Sequence, residues 1–357
     1  MAYLVISNDE QFVAMMTSLL HGDVVQCLQM EEVLAQTDLK AQLIIWQQPQ
    51  PTSKTLMQCE QLFQRHVPIL YFTDDMTNMV EQIIPFVFDF FVMPYHTQYI
   101  ATKIQTAMQY GLNMKSLQQQ KRFLEKDLQT AKNVQKSALT PSLYKKNIQV
   151  DGFYVTSHVL GGDMYCWFEV SEHQTAIILY DVMGHGVASS LVTMSIRSLL
   201  RGMMTRLADP DLVVQELNRH INELYKDEYM DSYLVTAIYL LVDTKANTLQ
   251  YVNAGHPTGY VFNECGECIE LKANAPILGL LPMLKIQKKE LPLHDYARIV
   301  LYTDGLQQED ECVDSAQFLP YIAQSNVADL RNFVENQQLA NMQQLDDISL
   351  VFITVST

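Results

Sequence analysis

Thr175-Ala176-Ile177-Ile178-Leu179-Tyr180-Asp181-Val182-Met183-Gly184-His185-Gly186 is the stretch from which the fold of this chain is read. An apolar run that stops on an aspartate reads as a strand, and the glycines after it break the pattern before a helical periodicity begins near Val187. A strand buries its middle and presents its last residue at a sheet edge, so Asp181 is expected at a rim beside a tight turn. Three other segments have the same grammar: Gly161-Gly162-Asp163, Leu301-Tyr302-Thr303-Asp304-Gly305 and Asp346-Asp347-Ile348-Ser349. Each sets an aspartate at or just beyond an apolar run, beside a Gly or a second Asp. Taken singly each is a turn, because Asp caps turns and Gly reaches positive φ. Taken together, four strand-end carboxylates would form an all-oxygen cage for hard divalent cations.

Around these motifs, strand patterns recur at Gln149–Ser157, Leu234–Val242, Thr248–Ala254, Arg298–Asp304 and Ile348–Val355. Two helical stretches follow the second motif, Val187–Arg206 and a segment after Pro210 with Val213, Leu217, His220, Ile221 and Leu224 on one face. His220 sits in that apolar stripe and is read as a packed histidine, not a ligand. Strands with segregated helices predict an α+β domain. Cys265-Gly266-Glu267-Cys268 lacks a second CxxC and is read as a hairpin turn.

The first third of the chain has a different rhythm. Strand candidates Tyr3–Ser7, Val24–Leu28, Ala41–Trp46, Pro68–Thr73 and Phe88–Met93 alternate with helical patterns such as Glu10–Leu20 and Met30–Thr37. That alternation predicts a parallel sheet covered by helices on both faces, an α/β unit. From 97 to 140 there is no Gly after Gly111 and no Pro. Leu117, Lys121, Leu124, Leu128, Ala131, Gln135 and Ala138 fall on alternating three- and four-residue steps there. Two readings stand side by side: a weak coiled-coil seam with polar members, or one long helix lying on its own C-terminal domain.

Composition narrows the class. The 357 residues carry a net charge of −16 and are 48% hydrophobic, ample for more than one core and opposed to nucleic-acid binding, which normally needs a basic patch. The longest apolar run, Ile83 to Pro94, contains Asp89 and is too short to span a bilayer. The N-terminus has no basic region of the kind that opens a signal peptide. The six cysteines are scattered, as in a reducing compartment, so a cytoplasmic location away from membranes is expected.

The four aspartate motifs, in this order, resemble the SpoIIE-like branch of the metal-dependent (PPM, type 2C) serine/threonine protein phosphatases. Asn253-Ala254-Gly255-His256-Pro257, Ile277-Leu278-Gly279-Leu280 and Val134-Gln135-Lys136-Ser137-Ala138-Leu139-Thr140-Pro141 are similar to that family as well, and the resemblance covers roughly residues 130–355. It implies two stacked antiparallel sheets flanked by helices and hydrolysis of phosphomonoesters by water activated on two Mn²⁺ or Mg²⁺ ions. Residue by residue it implies Asp181 as the ligand bridging both ions, the carbonyl of Val182 on one of them and Asp163 acting mainly through the water shell. Asp304 and Asp346 would hold the other ion, with Asp347 able to exchange roles with Asp346. Two positions depart from the family pattern: Cys166 stands where a second acid is frequent, and Met183 where distant relatives have a histidine acting as general acid. No general acid is identified from the sequence.

The N-terminal α/β pattern resembles a response-regulator receiver, which has a flavodoxin-like fold. Gln47 (or Trp46) stands at the phospho-acceptor position and Met93 where the family has lysine, while Asn8-Asp9-Glu10 and Thr73 match. An amide cannot accept a phosphoryl group, so a pseudo-receiver is expected; Asp74 or Asp75 as acceptor is the lesser reading. The expected organisation is a pseudo-receiver over 1–110, a helical or coiled-coil linker over 111–142 and the phosphatase domain over 143–357. The resemblance further implies a bacterial partner-switching pathway, a STAS-like anti-sigma-factor antagonist as phosphoprotein substrate, an upstream signalling partner at the pseudo-receiver, and a homodimer. A non-enzymatic adaptor that binds a sigma factor is the rival reading, and retention of all four aspartates argues against it. A phosphodiesterase or nuclease lacks the basic surface its substrate would need.

Overall fold

The computed structural model describes residues 2–20, 24–27, 30–35, 41–74, 78–224, 233–264, 267–293, 296–308, 329, 332 and 346–356. The chain divides into two compact units, Met1–Lys126 and Asp127–Thr357.

The first unit runs β1 (Ala2–Ile6), α1 (Glu10–Leu19), β2 (Val24–Cys27), α2 (Met30–Ala35), β3 (Leu43–Gln47), α3 (Ser53–Phe63), β4 (Ile69–Thr73), α4 (Asn78–Ile83) and β5 (Asp89–Val92). It closes on the first part of α5 (Thr97–Ala138). The strands are parallel in the order β2-β1-β3-β4-β5, the flavodoxin-like arrangement. Every residue of β3 and β4 is buried, because helices cover both faces. Leu43, Ile45, Leu70 and Phe72 meet α1 and α5, while Ile44, Trp46, Ile69 and Tyr71 meet α2, α3 and α4. Asp9 starts α1 by accepting from the backbone N–H of Gln11 at 2.8 Å, and Thr52 with Thr55 forms a capping box at α3. Of the residues named from sequence, Leu28, Thr37 and Asp75 lie outside the described residues.

The second unit contains β6 (Leu143–Tyr144), β7 (Ile148–Val155), β8 (Asp163–Glu169), β9 (Gln174–Val182), α6 (Val187–Leu207), α7 (Pro210–Leu224), β10 (Val235–Asp243) and β11 (Thr248–Ala254). There follow β12 (Gly259–Asn263), β13 (Cys268–Leu271), β14 (Lys289–Pro292), β15 (Tyr296–Tyr302), α8 (Gly305–Gln308) and β16 (Ile348–Ser356). Two antiparallel sheets form, β14-β11-β10-β9-β8 and β13-β12-β15-β16-β7-β6, and they stack face to face. Strand β8 and the weaker strand β14 were not expected from the sequence, whereas β12 and β13 are the two strands of the hairpin read at the CxxC stretch. β13 and β14 are mostly exposed edges without an apolar period. Asn263 and Glu267 close the β12–β13 hairpin, as read for the CxxC stretch, whose Cys265 and Gly266 lie outside the described residues.

The two-residue period decides what each sheet faces. On β9, Ala176, Ile178, Tyr180 and Val182 point to α6 and α7, whereas Ile177 and Leu179 point between the sheets. On β8, Met164 and Cys166 take the helix side, and Tyr165 and Trp167 the inter-sheet side. On β15 and β16, Ile299, Leu301, Val351 and Ile353 line the inter-sheet core, with Val300, Tyr302, Leu350 and Phe352 on the opposite face. Asp163, Asp181 and Thr303 share the parity of the inter-sheet residues, so all three fall at one end of the cleft between the sheets. His220 packs at the α6–α7 contact, its Nε2 3.4 Å from Ser195 Oγ.

Of the two readings of the connector, the helix lying on its own C-terminal domain describes the end of α5. Leu117 and Leu124 are 59% and 58% exposed. Gln135, by contrast, is 3% exposed and lies against the second unit, and Ala138 and Leu139 pack on its cores. Gln135 is therefore not a seam position open to a partner helix. Among the described residues no helix is long and apolar enough to cross a membrane.

Candidate metal centre

Four aspartates meet at one end of the two sheets. Asp163 opens β8 and Asp181 closes β9, and the antiparallel register sets them directly opposite each other. The sequence reading put every aspartate at the far end of an apolar run. Asp163 instead opens its strand, and Asp346 precedes its own. Antiparallel pairing makes the start of one strand the neighbour of the end of the next, so all four still reach the same rim. Asp304 follows β15 in the first turn into α8, and Asp346 stands two residues before β16.

Their surroundings are acidic and largely closed. Asp163 is 2% exposed; burial raises its pKa well above the carboxylate range, and the Asp181 charge adds to this. Asp181 is pushed up to about 7, first by burial, then by Asp304 and Asp346, while a hydrogen bond with Asp163 opposes the rise. Asp304 is raised by burial and by Asp346. Among the described residues, the charged groups acting on these three are other aspartates, with no lysine or arginine among them. Like charges held this close in a partly dry site favour either shared protons or a cation. A cage is not what forms: among the described residues no three His, Cys, Asp or Glu side chains converge to metal-binding distance. Asp163 and Asp181 share a hydrogen bond, and Asp304 and Asp346 act on Asp181 through their charge. That donor set fits hard, hydrated divalent ions, which keep several waters and take few protein oxygens.

Neighbouring groups fix these carboxylates. Thr303 Oγ1 donates to Asp163 Oδ2 at 2.7 Å and accepts from the backbone N–H of Ser349 at 2.9 Å, tying β8 to the β15–β16 pair. Asp347 is buried and takes three protein donors: Ser157 N–H at 2.8 Å and Ser157 Oγ at 3.0 Å on Oδ1, and Gly162 N–H at 2.7 Å on Oδ2. Asp346 Oδ1 accepts from the backbone N–H of Asp347 at 2.8 Å. A Cβ on Gly162 would sit 2.6 Å from the Val182 carbonyl oxygen, which is why that position has no side chain. Gly184 and Gly186 have φ of 92° and 91°, the left-handed region needed between β9 and α6.

Beneath the rim, His256 is enclosed, with Nδ1 2.9 Å from the hydroxyl of Thr236, the residue paired with Asp181 across β9–β10. Burial lowers its pKa to about 3, so it is a neutral packing group. Gln135 grips the Asp163 loop from the side. Its Nε2 donates to Gly161 O at 2.7 Å and its Oε1 accepts from Gly161 N–H at 3.2 Å. Thr193 of α6 donates to Gly162 O at 2.6 Å, and Arg197 of α6 donates to Ala138 O at 2.8 Å. His158 and His185 stand at the exposed side, rings stacked with centroids 4.5 Å apart and planes 1° apart. Ser157, His158 and Tyr154 were not singled out from sequence, where nothing local distinguishes them.

The N-terminal unit also has its pattern residues in place. Gln47 ends β3 and accepts from Ser7 Oγ at 2.5 Å, Thr73 ends β4 with its hydroxyl on Pro49 O at 3.0 Å, and Met93 follows β5 exposed.

A protein-family model described as stage II sporulation protein E (SpoIIE) matches residues 171–356. The chain is similar to the phosphoserine phosphatase RsbP of Bacillus subtilis (strain 168), 34% identical over 214 residues, covering 60% of this chain and 53% of that one. It is also similar to protein IcfG of Synechocystis sp., 22% identical over 204 residues, covering 50% and 32% of the two chains. It therefore spans about half the length of the one relative and a third of the other. Among solved structures, the SiaA-PP2C domain of Pseudomonas aeruginosa superposes with a TM-score of 0.55 at 20% identity, covering 66% of this chain and 98% of that one.

Proposed function

This chain belongs to the stage II sporulation protein E (SpoIIE) family, and on that footing we propose that it is a metal-dependent phosphatase of phosphoserine or phosphothreonine in proteins. The observation that carries the reading is the grouping of Asp163, Asp181, Asp304 and Asp346 at one end of the stacked sheets, with no lysine or arginine of the described residues among the charges acting on it. In this reading Asp181 and the Val182 carbonyl would hold one ion, Asp181 with Asp304 and Asp346 would hold a second, and Asp163 would act through the water shell. Asp347 is spent on Ser157 and Gly162, which favours Asp346 as the ligand of the pair. Two Mn²⁺ or Mg²⁺ ions bound there supply a water made nucleophilic near neutral pH and offset the phosphoryl charge. The chain's own part is positional: Thr303 and Asp347 hold the Asp163 loop, and Gly162 keeps the Val182 carbonyl uncovered.

The similarity to a phosphoserine phosphatase supports a partner-switching role, with an anti-sigma-factor antagonist as substrate. The parallel unit is read as a pseudo-receiver that takes an upstream partner, and the exposed Leu117 and Leu124 as a dimer seam. The rival adaptor reading loses ground because none of these four aspartates has been replaced. The test is turnover of p-nitrophenyl phosphate by the full chain with Mn²⁺, with Mg²⁺ and with excess EDTA. Metal-dependent release of phosphate is expected; turnover unchanged in EDTA, or none with either metal, overturns the reading.

A further inference from the structure

Hydrolysis of a phosphoserine leaves a strongly basic alkoxide, and none of the groups assigned so far protonates it. Met183 occupies the place where distant relatives have a histidine, and it carries no proton. Three side chains of the described residues are candidates outside the ligand set: Tyr154, His158 and His185. The Tyr154 hydroxyl is fully enclosed and would sit 2.5 Å from a Cβ on Gly161, so no seryl oxygen reaches it.

His158 is exposed and anchored. Its Nδ1 lies 3.1 Å from Ser157 Oγ, and Ser157 Oγ donates to Asp347 Oδ1 at 3.0 Å. Asp347 receives three donors, so the Ser157 hydroxyl gives its one proton to the carboxylate and can only accept from the ring. Nδ1 of His158 therefore carries the N–H, and Nε2 is the nitrogen left facing outward. His185 lies flat against the ring and fixes its plane. His185 belongs to the loop from Val182 into α6, and Asp347, which anchors Ser157, also holds Gly162, so both imidazoles belong to segments that join the rim.

We propose that His158 is the general acid of the reaction, with Ser157, Asp347 and His185 as its positioning residues; this rests on the phosphatase reading above. Water forms a new bond to phosphorus as the bond between phosphorus and the seryl oxygen breaks. The electron pair of the broken bond stays on the seryl oxygen, which takes the Nε2 proton of the His158 ring in its doubly protonated form and leaves the neutral Nδ1–H tautomer that Ser157 holds. The attacking water releases one proton, which restores Nε2–H through solvent. The sum is ester plus water giving serine and phosphate.

An acid matters only for a poor leaving group, which supplies the test. Benzyl phosphate leaves as an alkoxide and p-nitrophenyl phosphate as a stabilised phenolate. The full chain and His158→Ala are compared on both with Mn²⁺. A positioned acid contributes about 10²–10⁴-fold, so kcat on benzyl phosphate should fall about 100-fold or more while kcat on p-nitrophenyl phosphate stays within a few fold. Added imidazole should restore benzyl phosphate turnover, and Ser157→Ala should show a smaller loss with the same selectivity. An equal fall on both substrates, or no fall on benzyl phosphate, overturns the assignment of His158 while leaving the phosphatase reading intact. Absence of wild-type turnover of both substrates overturns the phosphatase reading and His158 with it.

Discussion

Replacing Gln135 with Leu removes a side chain that joins the end of α5 to the Asp163 loop. Leu keeps the volume and the helix propensity, so the change acts on hydrogen bonds alone. Two are lost, at 2.7 and 3.2 Å, and both partners are backbone groups of the buried Gly161. An orphaned buried backbone group costs about 1–3 kcal/mol, and a hydrogen bond replaced by one to water about 0.5–1.5 kcal/mol. Which value applies depends on access to water. Gln135 lines a cavity of about 460 Å³ with Lys132, Lys136, Tyr154 and Thr156, roomy enough to hydrate one end of the glycine. With one group hydrated and one orphaned, the cost is about 1.5–4.5 kcal/mol. For a unit of this size that lowers the Tm of the second unit by roughly 3–18 °C, at 2–4 °C per kcal/mol.

The same change should be felt at the metals. Gly161 precedes Gly162, whose N–H and carbonyl are held by Asp347 and Thr193, and Gly162 precedes Asp163. A relaxed Gly161 loosens that series, so the Mn²⁺ concentration for half-maximal activity should rise. Gln135→Glu tests the two-ended geometry: it keeps an acceptor for Gly161 N–H but turns an oxygen toward Gly161 O, so it should be at least as damaging as Leu. Calorimetric unfolding of the full chain and a Mn²⁺ titration of p-nitrophenyl phosphate turnover read both effects. A Leu variant with the parental Tm and the parental Mn²⁺ dependence would refute the grip on the loop.

Asp181→Asn and Asp304→Asn should each abolish turnover with circular dichroism unchanged, since both stand at the rim rather than in the core; parental rates in either would remove that residue from the site. His256 has its pKa lowered by burial from 6.5 to about 3, so the stability it contributes is fully present above about pH 6.5 and is lost as the pH falls toward 3. His256→Asn should show a shallower loss of stability over that range in urea titrations, each normalised to its own value at neutral pH, and an unchanged slope would count against the buried neutral imidazole. Acetyl phosphate should leave the intact mass of the first unit unchanged, because Gln47 has no carboxylate; a stable gain of one phosphoryl group there refutes the pseudo-receiver. Leu124→Ser with Leu128→Ser should lower the mass measured by light scattering and change turnover, and no effect on either would reduce the connector to a spacer.

What could be read from the sequence was whatever period and punctuation determine locally. The apolar run of β9 and the glycines after it placed Asp181 within a residue of its observed position, because strand parity and positive φ act over short distances. β8 escaped notice because it opens on the acid that was assigned to a strand's far end, and its aromatic residues, Tyr165 and Trp167, are fitted to the other sheet rather than to an alternating polar face. Asp346 and Asp347 show the limit most clearly. They are adjacent and identical in type, and the sequence reading left them interchangeable. The fold separates them through Ser157 and Gly162, 190 and 185 positions away, which together take both oxygens of Asp347. Gln135 is the same case in a helix: its step marked it as a seam residue, yet its partner is a backbone glycine beyond the next strand. Roles at this site are assigned by which oxygen is already occupied, and occupancy depends on contacts that no local pattern encodes. That is also why the proposed acid was invisible in the sequence: His158 acquires a defined tautomer only when Ser157 meets Asp347.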